Sequence, residues 1–258
     1  MEQDNIDWNR YFDHIYCIFF VKNMPHKERL VRELSRVGIL QSGIFEWKVT
    51  VPCCYDKTII DSFDDKSGIA REGWVNESLA YLDVLKCSEI LGHQRVLILE
   101  DDVAFLRDKE MLQKKLEAIP DGFGAVQFDH AFARIEQKEE WASLEKERTV
   151  NSEYIDCTGH WFGMGTANAY FGEGIKEAIR VLEEKPIVID TIARHTSMKW
   201  AICKKSAAIQ VITPQSITGA RIGAKMHEVY GRAEVDYSKY NLPDGYNNKS
   251  VFNGVQKI

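Results

Sequence analysis

The residues best equipped for chemistry fall in one short stretch, Arg95 to Phe105, which reads R-V-L-I-L-E-D-D-V-A-F. The apolar run Val96 to Leu99 ends in the consecutive acids Glu100, Asp101 and Asp102, and apolar Val103 and Phe105 follow. Adjacent carboxylates repel one another, and setting them beside apolar residues costs free energy unless a cation or hydrogen-bond donors neutralise them. A divalent ion suits this need, because Mg²⁺ and Mn²⁺ prefer hard oxygen ligands and combine one or two carboxylates with substrate phosphates and water. The same ion would offset charge developing on a departing diphosphate. Asp is also favoured in an ordinary strand-end turn and as a helix N-cap, so the trio alone leaves both readings open.

The elements that must position this stretch can be read from periodicity. Ile15 to Val21 predicts a strand, and the spacing of Leu30, Leu34 and Val37 predicts a helix closed by Gly38. Phe45 to Val51 alternates like a second strand and stops at Pro52. A helix over Glu77 to Leu91, stopped by Gly92, leads into Val96 to Leu99, whose unbroken apolarity predicts a strand covered on both faces. Further on we expect a helix at Met111 to Ile119, a strand at Gly124 to Phe128 and a solvated charged segment at Arg134 to Arg148. A helix at Gly174 to Glu184 and short late strands at Ile187 to Ile189 and Ala207 to Ile212 complete the reading. This order predicts an α/β fold with a mostly parallel central sheet and helices on both faces. In such sheets ligands bind at the carboxyl edge, where the three acids would sit.

Composition narrows the partners. A chain of 258 residues can bury a substantial core. A net charge of -6 argues against nucleic acid, whose phosphate backbone demands a dense field of Lys and Arg. Met1 to Arg10 is polar and acidic, unlike a secretory leader, and no apolar run approaches the roughly 20 residues of a membrane span. The cysteines show no metal-binding spacing, which fits free thiols in a reducing, cytoplasmic setting. Residues 1–213 are expected to form one domain. Residues 214–258, rich in Gly, Ser, Asn, Lys and Tyr, are expected to form a tail: a lid, a docking arm or a partly disordered segment.

On these residues the chain resembles glycosyltransferase family 25, the lipopolysaccharide-type galactosyltransferases of GT-A fold. The resemblance begins with K-N-M-P-H-K-E-R, which matches the family pattern at Asn23, Pro25 and Arg29, and continues through Gly73 to V-L-I-L-E-D-D-V. It extends to G-T-A-N-A-Y-F-G-E-G-I-K-E-A-I at Gly165 to Ile179, then Pro186 and Asp190. Where the family carries a glycine, a cysteine and a serine-histidine pair before the acidic motif, this chain has Gly73, Trp74, Glu77 and Ser78. The resemblance implies Mn²⁺- or Mg²⁺-assisted transfer of a hexose, galactose in the family, from a UDP-sugar to a glycan or lipid-linked acceptor, with inversion. A lipid-linked acceptor would bring the protein to a membrane surface.

By the same resemblance Asp102 and Glu100 are the expected metal ligands. Asn23, Pro25, Arg29, Gly73, Glu100 and Asp101 are the expected donor contacts, and Asp190 the expected base with Asp101 beside it. Each has a plainer alternative. Arg29 could be a surface helix residue. Asp190 could cap a helix starting near Thr191. Asp129 and His130, which also follow a strand, read as a satisfied structural pair. Two other functions remain open: a metal-dependent phosphoester or pyrophosphate hydrolase, served equally by paired acids and a hard cation, and a non-catalytic binding protein of the same fold.

Overall fold

The structure, a computed structural model, describes residues 6–20, 27–50, 71–130, 136–163, 165–184, 187–211 and 236–242. Asn23 and Pro25 lie outside these residues. The apolar runs become strands β1 (His14–Phe20), β2 (Phe45–Thr50) and β3 (Arg95–Glu100), and alternation along β1 and β3 sends their side chains to two separate cores. Ile15, Cys17, Phe19, Leu97 and Leu99 face one core; Tyr16, Ile18, Phe20, Val96 and Ile98 face the other. That is why both runs are apolar without interruption.

Helix α1 (Lys27–Arg36) covers the first core with Leu30 and Leu34, and helix α2 (Arg71–Ile90) covers the second with Ala80, Tyr81, Val84 and Leu85. Both helices run into glycines with positive φ, Gly38 at 82° and Gly92 at 74°, where a left-handed residue terminates a helix. Strand β4 (Val103–Phe105) and helix α3 (Lys109–Glu117) follow, the helix capped by the Asp108 side chain accepting from Met111 N–H. Strand β5 (Ala125–Gln127), helix α4 (Glu136–Glu147) and strand β6 (Tyr154–Asp156) come next, then strand β7 (Ala167–Phe171), helix α5 (Glu173–Glu184) and strands β8 (Trp200–Cys203) and β9 (Ala208–Gln210).

The seven-stranded sheet runs in the order β2-β1-β3-β7-β5-β8-β6, and β4 pairs with β9 in a separate two-stranded sheet. Strands β1, β2, β3, β5 and β8 point one way, while β7 and β6 are reversed. Helices α1 and α3 lie on one face of the sheet and α2, α4 and α5 on the other, so this is the α/β architecture expected from the sequence, a mostly parallel central sheet with helices on both faces. The charged 134–148 segment holds α4, anchored by Trp141 and Leu144. One expectation fails: Ile187 to Ile189 is no strand. Ile187 and Ile189 are buried against α2, and a 3-10 helix, Ile189–Arg194, starts there instead. Apolarity alone does not separate a buried loop from a buried strand. Among the described residues no helix is long and apolar enough to cross a membrane.

The 236–242 stretch docks on the first core. Tyr240 is 5% exposed, donates its hydroxyl to Ser206 O at 2.7 Å and accepts at its own carbonyl from Arg107 Nε at 2.7 Å. Asn241 donates to Glu33, a carboxylate only 1% exposed that also accepts from Phe105 N–H at 2.7 Å and from both Arg36 Nε and Nη2. Glu33 thereby ties α1, β4 and the tail together. Glu33→Ala would leave a buried N–H and a guanidinium without their acceptor, so we expect a loss of about 3 kcal/mol in urea unfolding.

Candidate functional site

Strand register assembles the site. Leu99 pairs with Ala167 and Gln127 pairs with Asn168, so extending each ladder past the strand ends sets Glu100 and Asp129 on either side of Thr166. The extension is held by Glu100 N–H donating to Thr166 O at 2.9 Å and Phe128 N–H donating to Ala167 O at 3.0 Å. With strands about 4.8 Å apart, the flanking backbones are roughly 10 Å from each other. Alternation turns Glu100, Thr166 and Asp129 toward the face covered by α2 and the 3-10 helix. Glu77 on α2 reaches Glu100 there, and Asp190 in the first turn of the 3-10 helix adds its charge to both.

Hydrogen bonding separates the acids into two kinds. Asp101 Oδ2 accepts from Phe20 N–H at 3.0 Å, so this carboxylate holds the end of β1. Asp102 Oδ2 accepts from Gln210 Nε2 at 2.8 Å, and its backbone carbonyl takes Val211 N–H at 2.7 Å. By contrast Glu100 Oε1, Asp102 Oδ1, both oxygens of Asp129, Thr166 Oγ1 and Asn168 Oδ1 are buried with no hydrogen-bond partner. Such concentrated lack of partners is rare in a folded protein and calls for a reason.

Electrostatics agrees. Burial pushes the Glu100 carboxyl well above its usual range, and Glu77, which is hydrogen-bonded to it and also raised, adds to the shift. Asp102 is raised by burial and by Asp101, against the pull of Gln210 and Arg29. Asp129 is pushed up to about 8 by burial, opposed by the nearby Thr166 hydroxyl and raised further by Asp190. Glu77, Glu100, Asp102 and Asp190 are half-buried, whereas Asp129 is only 1% exposed.

Arg29 is no free surface residue. It donates to the carbonyls of Val103 at 2.8 Å and Asp101 at 3.2 Å, clamping the turn that carries the acids. Gly73 lies in the first turn of α2. Asp190 does not cap the 3-10 helix, whose N-cap is Val188 with no side-chain bond. Its Oδ1 instead fills the space beside Gly165, where an added Cβ would come within 2.9 Å. The Gly165 carbonyl accepts from Tyr81 Oη at 2.9 Å and Asn168 Nδ2 at 3.2 Å, which fixes that backbone against the carboxylate.

Of the expected structural pair, His130 behaves as such: it stacks on Trp141 with centroids 4.1 Å apart and bonds to Ser206 Oγ. Asp129 does not, since neither of its oxygens is satisfied. Sequence reasoning also missed Glu77 as a member of the site. Its one signal was a polar patch, Asn76, Glu77 and Ser78, at the start of a helix whose later turns are apolar.

Among the described residues, no three His, Cys, Asp or Glu side chains come together as a ready cage for a metal ion. The unpartnered donors are nevertheless all oxygens, and one or two carboxylates completed by water and phosphate is the set that Mg²⁺ or Mn²⁺ uses.

No protein-family model matches the chain, and no curated protein matches its sequence. Among solved structures it is similar to mouse xyloside xylosyltransferase 1 in its apo form, at 10% identity over 70% of this chain and 80% of that one, with a TM-score of 0.34. It is also similar to mannose-1-phosphate geranyltransferase from Thermus thermophilus, at 14% identity over 95% of this chain and 69% of that one, with a TM-score of 0.25. Likenesses this distant carry no function across.

Asp129 makes the electrostatics testable. The folded protein holds its proton to about pH 8, whereas the unfolded chain releases it near the ordinary 3.8. The folded state therefore binds more protons between these values, and stability falls as pH rises through that window. In EDTA, Asp129→Asn should match the wild type in urea unfolding near pH 4 and exceed it by about 2 kcal/mol or more at pH 8.

Proposed function

We propose that the chain is a metal-assisted glycosyltransferase of the family 25 kind, moving a hexosyl group from a UDP-sugar to a hydroxyl of a glycan or lipid-linked acceptor in the cytoplasm. The observation that carries this reading is the set of unpartnered carboxylate oxygens on Glu100, Asp102 and Asp129 at the carboxyl edge of the sheet. A hydrolase needs the same acids, and the acceptor dependence of donor breakdown separates the two readings.

Asp102 and Glu100 would hold the cation, which when bound supplies positive charge to the departing diphosphate. Asp101 we assign as a positioning residue, because its carboxylate already holds Phe20 N–H, and Arg29 holds the same turn from behind. Asp190 would take the proton of the acceptor hydroxyl as its oxygen bonds to the anomeric carbon and the carbon–oxygen bond to the diphosphate breaks. One displacement of this kind inverts the anomeric centre. Burial favours the protonated form of Asp129 and Glu100, and the Asp190 carboxylate stands beside the Gly165 backbone, so we assign it as the base.

Calorimetric titration with UDP-galactose in Mn²⁺ should show binding that EDTA abolishes and that Asp102→Asn weakens at least 100-fold. Donor binding indifferent to both changes would sink the reading, and donor breakdown at one rate with or without a saccharide acceptor would mark a hydrolase instead. Gly165→Ala tests the base separately. Its Cβ would displace Asp190 Oδ1, so kcat should fall about tenfold or more while the donor KM stays nearly constant.

A further inference from the structure

Beyond β8 the chain turns through Lys204, Lys205 and Ser206 before entering β9. This turn, α3 and the 236–242 stretch enclose a cavity of ≈ 180 Å³ whose polar walls include Lys115, His130, Lys204, Lys205, Ser206 and Lys239. In water-sized terms that is room for about six molecules, enough for a phosphoryl group and the carbons next to it.

The floor of the cavity is built. Ser206, 6% exposed, accepts from His130 N–H at 3.2 Å, lies 3.3 Å from His130 Nδ1, and has its carbonyl held by Tyr240 Oη at 2.7 Å. Lys115, 2% exposed, is compensated by Glu153 at 2.8 Å, and Lys239 faces Asp236 at 3.7 Å. Lys204 and Lys205 have no ion-pair partner among the described residues. Two cations without an ion-pair partner among the described residues thus line a cavity whose one acid, Asp236, is paired with Lys239 at 3.7 Å. A phosphate monoester, at about −1.5 to −2, is their complement in charge.

Placement argues against the donor's own diphosphate. Strands β5 and β8 are parallel, so the turn after β8 opens at the same sheet edge as the acids, and His130 directly follows Asp129. The cavity, however, lies under α3 with Leu106 and Tyr240, which belong to the first core, whereas Glu77 and Asp190 reach the edge from the opposite face. We infer that this cavity binds a phosphoryl group carried by the second substrate, making the acceptor a phosphate-bearing saccharide. That the phosphoryl group belongs to an acceptor rests on the transfer reaction proposed above; anion binding at Lys204 and Lys205 does not.

The test is calorimetry with inorganic pyrophosphate in EDTA at low salt, comparing wild type with Lys204→Gln/Lys205→Gln, alongside UDP titrated in Mn²⁺. We expect pyrophosphate to bind the wild type and to bind the double variant at least tenfold more weakly, with UDP affinity within twofold and an unchanged melting temperature. No pyrophosphate binding to the wild type, or equal binding by both proteins, overturns the site. A parallel tenfold loss of UDP affinity overturns its assignment to an acceptor. If pyrophosphate behaves as expected and UDP never binds, the cavity stands and the transferase reading falls.

Discussion

Carboxyl groups that have nowhere to put their charge dominate this molecule. Glu77 and Glu100 are raised by burial and by their neighbours' charge, Asp190 adds its charge to both and to Asp129, and Asp101 raises Asp102 while the Arg29 guanidinium pulls against it. The five acids come from four places: Glu100 and Asp102 from the end of β3 and the turn after it, Asp129 from just past β5, Asp190 from the start of the 3-10 helix and Glu77 from the second turn of α2. A fold that gathers like charges from four directions works against its own stability, since each ionised group lacks the water it had in the unfolded chain. The surrounding framework is correspondingly rigid. Two cores, one on each face of the sheet, hold the strand ends in register, and the apolar residues of β3 and β5, the strands that lead to the acids, are buried on both sides.

The turn between β3 and β4 shows how that rigidity is achieved locally. Asp101 is consumed in fastening β1, Arg29 grips the carbonyls on either side of Asp102, and Glu33 secures Phe105 N–H. These bonds leave Asp102 Oδ1 with no partner. A short acidic motif can thus divide its labour, one carboxylate spent on structure so that its neighbour is held ready for a ligand. Among the consecutive acids Glu100, Asp101 and Asp102, the middle one is the structural member: it sits in the turn just past β3, where its carboxylate accepts the Phe20 N–H at the end of neighbouring β1.

The reversed strand β7 has a similar double use. Its small residues Ala167 and Ala169 let the first core close over it, while Thr166 and Asn168 on the other side set polar atoms between Glu100 and Asp129. Gly165, just before the strand, leaves the space that the Asp190 carboxylate occupies. A run of small residues that looks ordinary in composition is thus shaped by what must fit beside it. On the other face of the same edge, the Lys204 to Ser206 turn offers positive charge where the α2 side offers negative, so the two faces of the edge suit different ligand groups.

The order of strands and helices up to β3, and the arrival of Glu100, Asp101 and Asp102 at the end of a buried strand, were legible in the sequence, because local periodicity and glycine stops encode them directly; the three- and four-residue strands β4, β6 and β8 are too short to show a period. The buried strand β3, the helix stops at Gly38 and Gly92 and the amphipathic α5 all follow from spacing alone. Strand pairing is not local, and it decided the rest. Only the register of β3, β7 and β5 sets Glu100 and Asp129 around Thr166, and only packing of α2 brings Glu77 to Glu100. The run Ile187 to Ile189 misled because burial makes a loop as apolar as a strand. The docking of Tyr240 escaped notice because a single aromatic in a polar tail has no period to reveal it.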